Sequence, residues 1–189
     1  MSDTLSPSFR AALTSGRGLY SLVLGTALGS TVWHSVVGGP VAFASLPRAS
    51  FGHLQSRLFP HFFRLQTGSA LALLTFYYRA GVKLAEKATW RGDRNLWLVA
   101  TMLASAAFNE FVVGPWTTKV MQRRHRKEKI EGKDYSDASA SSEMKALNKT
   151  FGKLHGASSL LNLTYLVAIA VHAAHVGAFG APWTSALRQ

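Results

Sequence analysis

The residues of this sequence that could do chemistry are charged and polar side chains set within apolar stretches. Arg64 and Glu110 are the natural ion pair, and Glu110 and His34 are the candidates for a general acid or base. If these stretches cross a membrane, a charge near the centre costs about 2.5 to 3.5 kcal/mol, so it pairs, faces a wet cavity or extends to the headgroups. Two alternatives follow for Arg64 and Glu110: a buried pair, or an Arg64 that reaches the headgroups while Glu110 hydrogen-bonds inside.

Four of the seven histidines, His34, His155, His172 and His175, lie in or beside the apolar stretches. His172 and His175 share a helical face, but at about 1.5 Å per helical residue the four histidines lie at different depths. Ligands of one ion must lie within about 2 Å of it, so we expect no metal and no cofactor. The absence of cysteine excludes disulfides, and no nucleophile or phosphate-binding motif predicts catalytic residues.

The charge distribution defines the elements that position these residues. Charged residues make up 16% of the chain, and residues 18–47 and 154–187 contain none. A transmembrane helix needs about 20 apolar residues, and four segments qualify, at about 19–43, 62–78, 96–113 and 155–179. We therefore expect an all-α fold, a multi-pass integral membrane four-helix bundle that forms a single domain over residues 1–189.

Four spans place both termini and the loop 79–94 on one membrane face, side A, and the other two loops on side B. About 12 basic residues lie on side B and about 8 on side A, and this excess favours side B as the cytoplasmic or matrix-facing side. Between the third and fourth spans we expect a basic helical extension, Trp116 to Glu131, and then a flexible linker over about 134–143. The net charge of +12 indicates anionic lipid rather than nucleic acid, because the basic residues flank apolar spans. The residues expected to bind lipid or a partner are Arg48, Lys119, Arg123, Arg124, Arg126 and Lys127.

Small residues at a spacing of four predict where helices approach closely. Gly25 and Gly29 form one such pair and Gly68 and Ala72 another, and we expect them to serve ordinary packing within the bundle. Aromatic residues at the span ends, Tyr20 and Tyr77 among them, are typical of a membrane interface.

Three blocks of residues occur in order along most of the chain. They are Ser45-Leu46-Pro47-Arg48 with Phe51-Gly52, Gln55-Ser56, Leu58-Phe59-Pro60 and Phe63; Asn109 with Pro115, Thr117-Thr118 and Met121; and Phe151 with His155-Gly156, Ser158-Ser159-Leu160 and Asn162-Leu163. Together they resemble the transmembrane protein 205-like family, a four-span membrane domain of unassigned biochemical function. Many relatives have an acid directly before the proline of the second block, where this chain has Gly114. The resemblance implies a fold but no reaction.

All three blocks converge on side B, where they predict a polar vestibule between the helices. At about 1.5 Å per residue, six side chains lie roughly 5 to 11 Å inside the boundary, with His155 at the boundary itself. The six are Arg64, Gln66, Asn109, Glu110, Ser159 and Asn162. The alternative for the amides and serines is that they form hydrogen bonds between helices.

These features predict a non-enzymatic membrane protein, a scaffold or accessory subunit that contacts anionic lipid or a protein partner in a membrane complex. The alternative is a small transporter, or a lipid- or solute-handling protein that uses the vestibule. The endomembrane system is the expected location, with a mitochondrial membrane as the alternative, because residues 1–17 only faintly resemble a presequence.

Overall fold

The computed structural model describes residues 7–79 and 94–180, and within these ranges every regular element is helical. The α-helices are α1 (Pro7–Thr14), α2 (Gly16–Val32), α3 (Gly39–Ser45), α4 (Arg48–Arg79), α5 (Arg94–Phe108), α6 (Gly114–Glu131) and α7 (Ser142–Phe179). Two π-helical segments, π1 (Trp33–Gly38) and π2 (Asn109–Val113), join α2 to α3 and α5 to α6. The all-α expectation is confirmed; the side A loop and both terminal tails lie outside the described residues.

The elements form four long rods. Rod 1 is 16–45, rod 2 is α4, rod 3 is Arg94–Glu131 and rod 4 is α7. Rod 2 has 32 residues and rods 3 and 4 have 38 each. At about 1.5 Å per residue, 38 residues measure about 57 Å, nearly twice the thickness of a bilayer core. The rods therefore cover the four apolar segments of the sequence, and rods 2, 3 and 4 continue well beyond them.

Contacts between distant residues show that neighbouring rods run antiparallel. The start of rod 1 meets the end of rod 4 where Tyr20 contacts His172, and His172 also contacts Asn95 at the start of rod 3. Gln66 of rod 2 bonds Thr31 and Asn162 further along the bundle. Rods 1 and 3 therefore point one way and rods 2 and 4 the other.

Two rods of the described chain are long and apolar enough to cross a membrane. Their mean hydropathy is 1.6 for Arg94–Glu131 and 1.5 for Ser142–Phe179, and only 39% and 22% of their most apolar windows are buried. A core helix of a soluble protein would be mostly buried. Rods 1 and 2 do not combine this length with this mean hydropathy, because they carry more small and polar residues.

The bundle buries several polar side chains and exposes many large apolar ones. Thr31, Gln66, Ser105, Asn109 and His172 are buried, alongside an apolar core that includes Leu73 and Met102. All four rods expose large apolar side chains, among them Leu22, Trp33, Leu71, Trp97, Phe111, Val167 and Val171. Such a surface suits contact with hydrocarbon rather than water.

The two π-helical segments share a cause in the sequence, a Gly-Pro pair at the start of the next α-helix. Proline has no N–H to continue the α-helical ladder, and the preceding Gly39 and Gly114 bond five residues back, to the carbonyls of His34 and Asn109. A Cβ on Gly114 would lie 2.6 Å from the Asn109 oxygen. A larger residue at Gly114 would therefore force the π2 segment to shift.

Rod 2 passes through Pro60 without a break and begins at Arg48, well before the apolar segment expected at about 62–78. Proline inside a helix costs about 3 kcal/mol, so packing must compensate. Phe62 and Phe63, two and three residues after it, are buried, and Phe63 stacks on Phe59 with ring centroids 5.6 Å apart.

The linker expected over 134–143 is a short hydrogen-bonded loop, and α7 already begins at Ser142. Gly132 ends α6 with a φ of 64°, and the Asp134 and Asp137 carboxylates accept the backbone N–H groups of Ser136 at 2.8 Å and Ser139 at 2.7 Å. These are Asx turns, which fix loop conformation locally. The side chain of Asn148 on α7 donates to the Tyr135 carbonyl and ties the loop to rod 4.

The small-residue pairs do not pack within the bundle. Gly25, Gly29 and Gly68 are exposed, and a Cβ at any of them would meet nothing within 4 Å. The residues buried between helices are alanines instead, at Ala27, Ala70, Ala106 and Ala168. Tyr20 and Tyr77, expected at the interface, are also core residues, because they belong to the buried cluster around His172.

Candidate functional site

The strongest polar cluster is the Gln66 network, formed by Thr31, Ser35, Gln66, Asn162 and Tyr165. The Gln66 amide donates to Thr31 Oγ1 at 3.2 Å and to Asn162 Oδ1 at 2.9 Å, and Asn162 donates to Ser35 Oγ at 2.7 Å. The Tyr165 hydroxyl donates to the Gln66 carbonyl at 3.3 Å. Gln66 is only 1% exposed, so the network joins rods 1, 2 and 4 away from solvent.

Asn109 makes a separate link between rods 3 and 4. Its amide donates to the carbonyl of Ser158 at 3.1 Å, and the residue is 1% exposed. The side-chain oxygens of Asn109, Oδ1, and of Gln66, Oε1, have no hydrogen-bond partner. Buried polar groups are nearly always paired, so these two oxygens mark where the packing is least complete.

Arg64 and Glu110 lie side by side, with the Arg64 side chain on the outside of the bundle and that of Glu110 mostly covered. Arg64 Nε is 3.9 Å from Glu110 Oε1, and the side chains are 65% and 15% exposed. That distance is too long for a hydrogen bond. The geometry favours the alternative in which Arg64 extends outward, over a buried pair.

The seven residues of the predicted vestibule therefore do not form one cavity. Gln66 and Asn162 bond each other inside, Asn109 bonds the rod 4 backbone, and Arg64 pairs with Glu110 on the surface. Ser159 and His155 are exposed on α7, where His155 stacks on Phe151 with ring centroids 5.7 Å apart. The structure assigns the buried amides to contacts between helices.

A second buried cluster, the His172 network, was missed by the sequence analysis. His172 is fully buried; one ring nitrogen contacts the Tyr20 hydroxyl, and Nδ1 lies 3.2 Å from Asn95 Oδ1. Residue spacing could have predicted this cluster, because Tyr20, Asn95 and His172 all lie near the side A ends of the apolar segments. Within 7–79 and 94–180, no three His, Asp or Glu side chains are placed to hold a metal ion.

Arg124 departs from the exposed basic set predicted for lipid or partner binding. It is 7% exposed, and its guanidinium lies between two rings, 4.1 Å from the Tyr135 centroid and 4.4 Å from the Phe151 centroid. Burial lowers the pKa of its guanidinium from the ordinary value, though Tyr135, Glu128 and Asp134 oppose this. The aromatic pair makes Arg124 a structural clamp between α6, the loop and α7, and it cannot contact a partner.

Two further basic residues are occupied by contacts within the chain. Lys127 pairs with Glu143 and Glu131, at 2.5 and 3.5 Å, and the hydrogen bond that Lys127 donates to Glu143 raises the pKa of the lysine. Arg48 donates to the Tyr135 hydroxyl at 3.1 Å while remaining exposed. Lys119, Arg123 and Arg126 are exposed on α6, so these three remain available to a partner.

Comparison with known proteins finds one family model and a transmembrane relative. A family model described as a domain of unknown function, DUF4149, matches residues 22–126, which cover most of rods 1 to 3. The chain is 28% identical over 167 residues to transmembrane protein 205 of Danio rerio, a match that covers 82% of this chain and 87% of that protein. No solved structure matches.

Proposed function

Because the chain belongs to the DUF4149 family and is a transmembrane protein 205-like protein, we propose that it is a non-enzymatic four-span membrane protein that serves as a scaffold or accessory subunit. Its partner is a protein with an acidic surface, bound by the part of rod 3 that extends beyond the membrane on side B.

The distribution of apolar surface supports four spans. Apolar side chains point outward on rods 1 and 2 as well as on rods 3 and 4, among them Leu22, Trp33 and Leu71. About 20 residues counted from the side A ends of rods 2, 3 and 4 place the side B boundary near Pro60, Val113 and Leu160. Rod 1 then crosses the same layer, because it pairs with rods 2 and 4 along its length.

The extension of rod 3 is basic and lies too far from the bilayer to act on lipid alone. Residues 114–153 include ten basic and five acidic residues. At about 1.5 Å per residue, Arg126 lies about 20 Å beyond Val113, whereas screening limits attraction to headgroups to about 8 Å. Lys119, at about 9 Å, lies near that limit. The outer bases therefore suit an acidic protein better than the membrane surface.

The observation that carries the proposal is an exposed apolar residue among these bases. Ile130 is 72% exposed near the end of α6, and its spacing from Arg123 and Arg126 puts all three on one helical face. A large apolar side chain flanked by arginines is typical of the centre of a protein interface. We call Arg123, Arg126 and Ile130 the α6 surface.

The packing of the buried polar groups favours a scaffold over the alternative, a transporter that uses a polar vestibule. A transport path needs polar groups facing a wet cavity, whereas Gln66, Asn109 and Asn162 bond across helices. A non-enzymatic role is also favoured, because His34 packs against the rings of Phe59 and Phe62 rather than beside an acid.

The test is purification of the tagged full chain from its native membrane in mild detergent. We compare the unmodified protein with the triple variant Arg123→Gln, Arg126→Gln, Ile130→Ser. We expect a stoichiometric protein component in the first sample and its loss from the second. The control is the side A triple variant Tyr78→Ser, Arg79→Gln, Arg94→Gln, which likewise removes two arginines and one large exposed side chain. This control should keep the protein component.

A chain that purifies alone would contradict the proposal, as would a component lost equally from both variants. The same preparation addresses the compartment. We propose the endomembrane system, with a mitochondrial membrane as the alternative, and fractionation of the tagged protein against marker proteins distinguishes the two.

A further inference from the structure

A groove runs along the outer face of the bundle between α2 and α4. It has a volume of about 350 Å³ and is open to the surroundings. Its walls are Leu22, Val23, Thr26, Leu65, Gly68 and Ala72, with Ser69 and Arg64 completing the lining. A Cβ at Gly68 would meet nothing within 4 Å, so the absence of a side chain there leaves the groove open.

Arg64 gives the groove a charged end. Counted along α4 at about 1.5 Å per residue, the groove extends about 12 Å from Arg64 to Ala72. With the boundary near Pro60, Arg64 lies about 6 Å inside the membrane and Ala72 about 18 Å inside. A long side chain at that depth can raise its guanidinium to the phosphates while the apolar walls below it face acyl chains.

Arg64 also retains capacity for an anion. Among the described residues, Glu110 is the one acid within 4 Å of its guanidinium, and this contact is a 3.9 Å approach of Nε alone. Phosphate binds guanidinium in a bidentate manner, which a contact to Nε leaves possible at the two terminal nitrogens.

We propose that this groove binds one anionic phospholipid, with its phosphate on Arg64 and one acyl chain between α2 and α4. The site rests on the proposed four-span placement, but not on the partner proposed for the α6 surface. A phospholipid fits better than a free anion, because the lining away from Arg64 is mostly apolar. It fits better than a second copy of the chain, because a copy would bring another Arg64 rather than a negative charge.

The test is native mass spectrometry of the full chain in dodecyl maltoside, titrated with dioleoylphosphatidylglycerol. Gly68→Leu fills the groove, Thr26→Leu narrows it from the opposite wall, and Arg64→Gln removes the charge. We expect each to weaken lipid binding by about fivefold or more, which corresponds to about 1 kcal/mol. The matched controls are Gly177→Leu, an open glycine on α7, and Arg57→Gln, an exposed arginine outside the groove; both should bind as the unmodified protein does.

Three results would overturn the site. One is equal binding by groove variants and controls. Another is competition by glycerophosphate as strong as that of the lipid, which would mean a simple anion site. The third is a change in dimer content with Gly68→Leu and no change in lipid binding, which would assign the groove to a second copy. None of these results changes the expectation for the α6 surface, so the two proposals fail separately.

Discussion

Gly114 shows how one residue sets the geometry of a whole segment. Its N–H bonds the Asn109 carbonyl and closes the π turn, and Pro115 behind it cannot continue an α-helical ladder. The ring of Phe63 lies 3.5 Å from where its Cβ would be, so the space is closed on the rod 2 side as well. A side chain at position 114 would therefore require either the Asn109 carbonyl or the Phe63 ring to move.

We predict that Gly114→Ala destabilises the bundle, although alanine favours helices. The added Cβ must displace the Asn109 carbonyl, and such overpacking costs about 1 to 3 kcal/mol. Thermal unfolding in detergent measures the effect. Gly152→Ala is the control, because a Cβ there meets nothing and should stabilise by up to about 1 kcal/mol. Equal behaviour of the two variants would show that π2 relaxes without strain.

At the scale of elements, the side B end is held by Arg124 and the loop 132–141. Tyr135 is central, because its ring covers Arg124, its hydroxyl accepts from Arg48 and its carbonyl accepts from Asn148. The loop thereby connects α4, α6 and α7 outside the proposed membrane layer, which keeps the α6 surface rigid.

Removal of the buried guanidinium should loosen this end. We predict that Arg124→Ala lowers stability by about 2 kcal/mol, because two ring contacts in a desolvated site are lost. Arg123→Ala, one position away and exposed, should change stability by less than about 0.5 kcal/mol. Chemical denaturation of both variants gives the comparison, and a small effect at Arg124 would mean that the clamp contributes little.

Acid should open the same loop. Hydrogen bonds from Ser136 and Ser139 lower the pKa values of Asp134 and Asp137, and those from Ser141 lower that of Glu131. A carboxyl whose pKa is lowered by folding stabilises above its unfolded pKa and loses this as the pH falls through its folded pKa. We therefore expect amide hydrogen exchange in the loop to rise, relative to its intrinsic rate, as the pH decreases below about 4.

The control for this acid effect is the variant Asp134→Asn with Asp137→Asn, which cannot titrate at these positions. Its exchange should already be raised at neutral pH and should change less on acidification. A loop whose protection is independent of pH in the unmodified protein would exclude the carboxylates as its stabilising groups.

For the whole molecule, four spans require both termini on one side and the loop 132–141 on the other. The absence of cysteine makes labelling direct, because a single introduced thiol is unique. We predict that Ser2→Cys and Gln189→Cys react with a membrane-impermeant maleimide from one side, and Ser136→Cys from the other. Labelling of Ser136→Cys and Gln189→Cys from the same side would exclude four spans.

The sequence determined the local properties of this chain. Long apolar stretches with clumped charges fixed the helices, since α-helices satisfy every backbone polar group within the segment. Spacing along the helices also predicted that Arg64 and Glu110, and likewise Gln66 and Asn162, lie at similar depths, because depth follows from residue count.

Only the tertiary structure decided which face of each helix points inward. In water, an apolar stripe identifies the buried side, but in lipid both sides are apolar and close packing and hydrogen bonds choose instead. Gly68 and Gly25 therefore face outward against expectation, while Tyr20 and His172 meet inside. The same reason separates the predicted vestibule into buried links and an outward Arg64, because side chains at one depth can still lie on opposite faces of their helices.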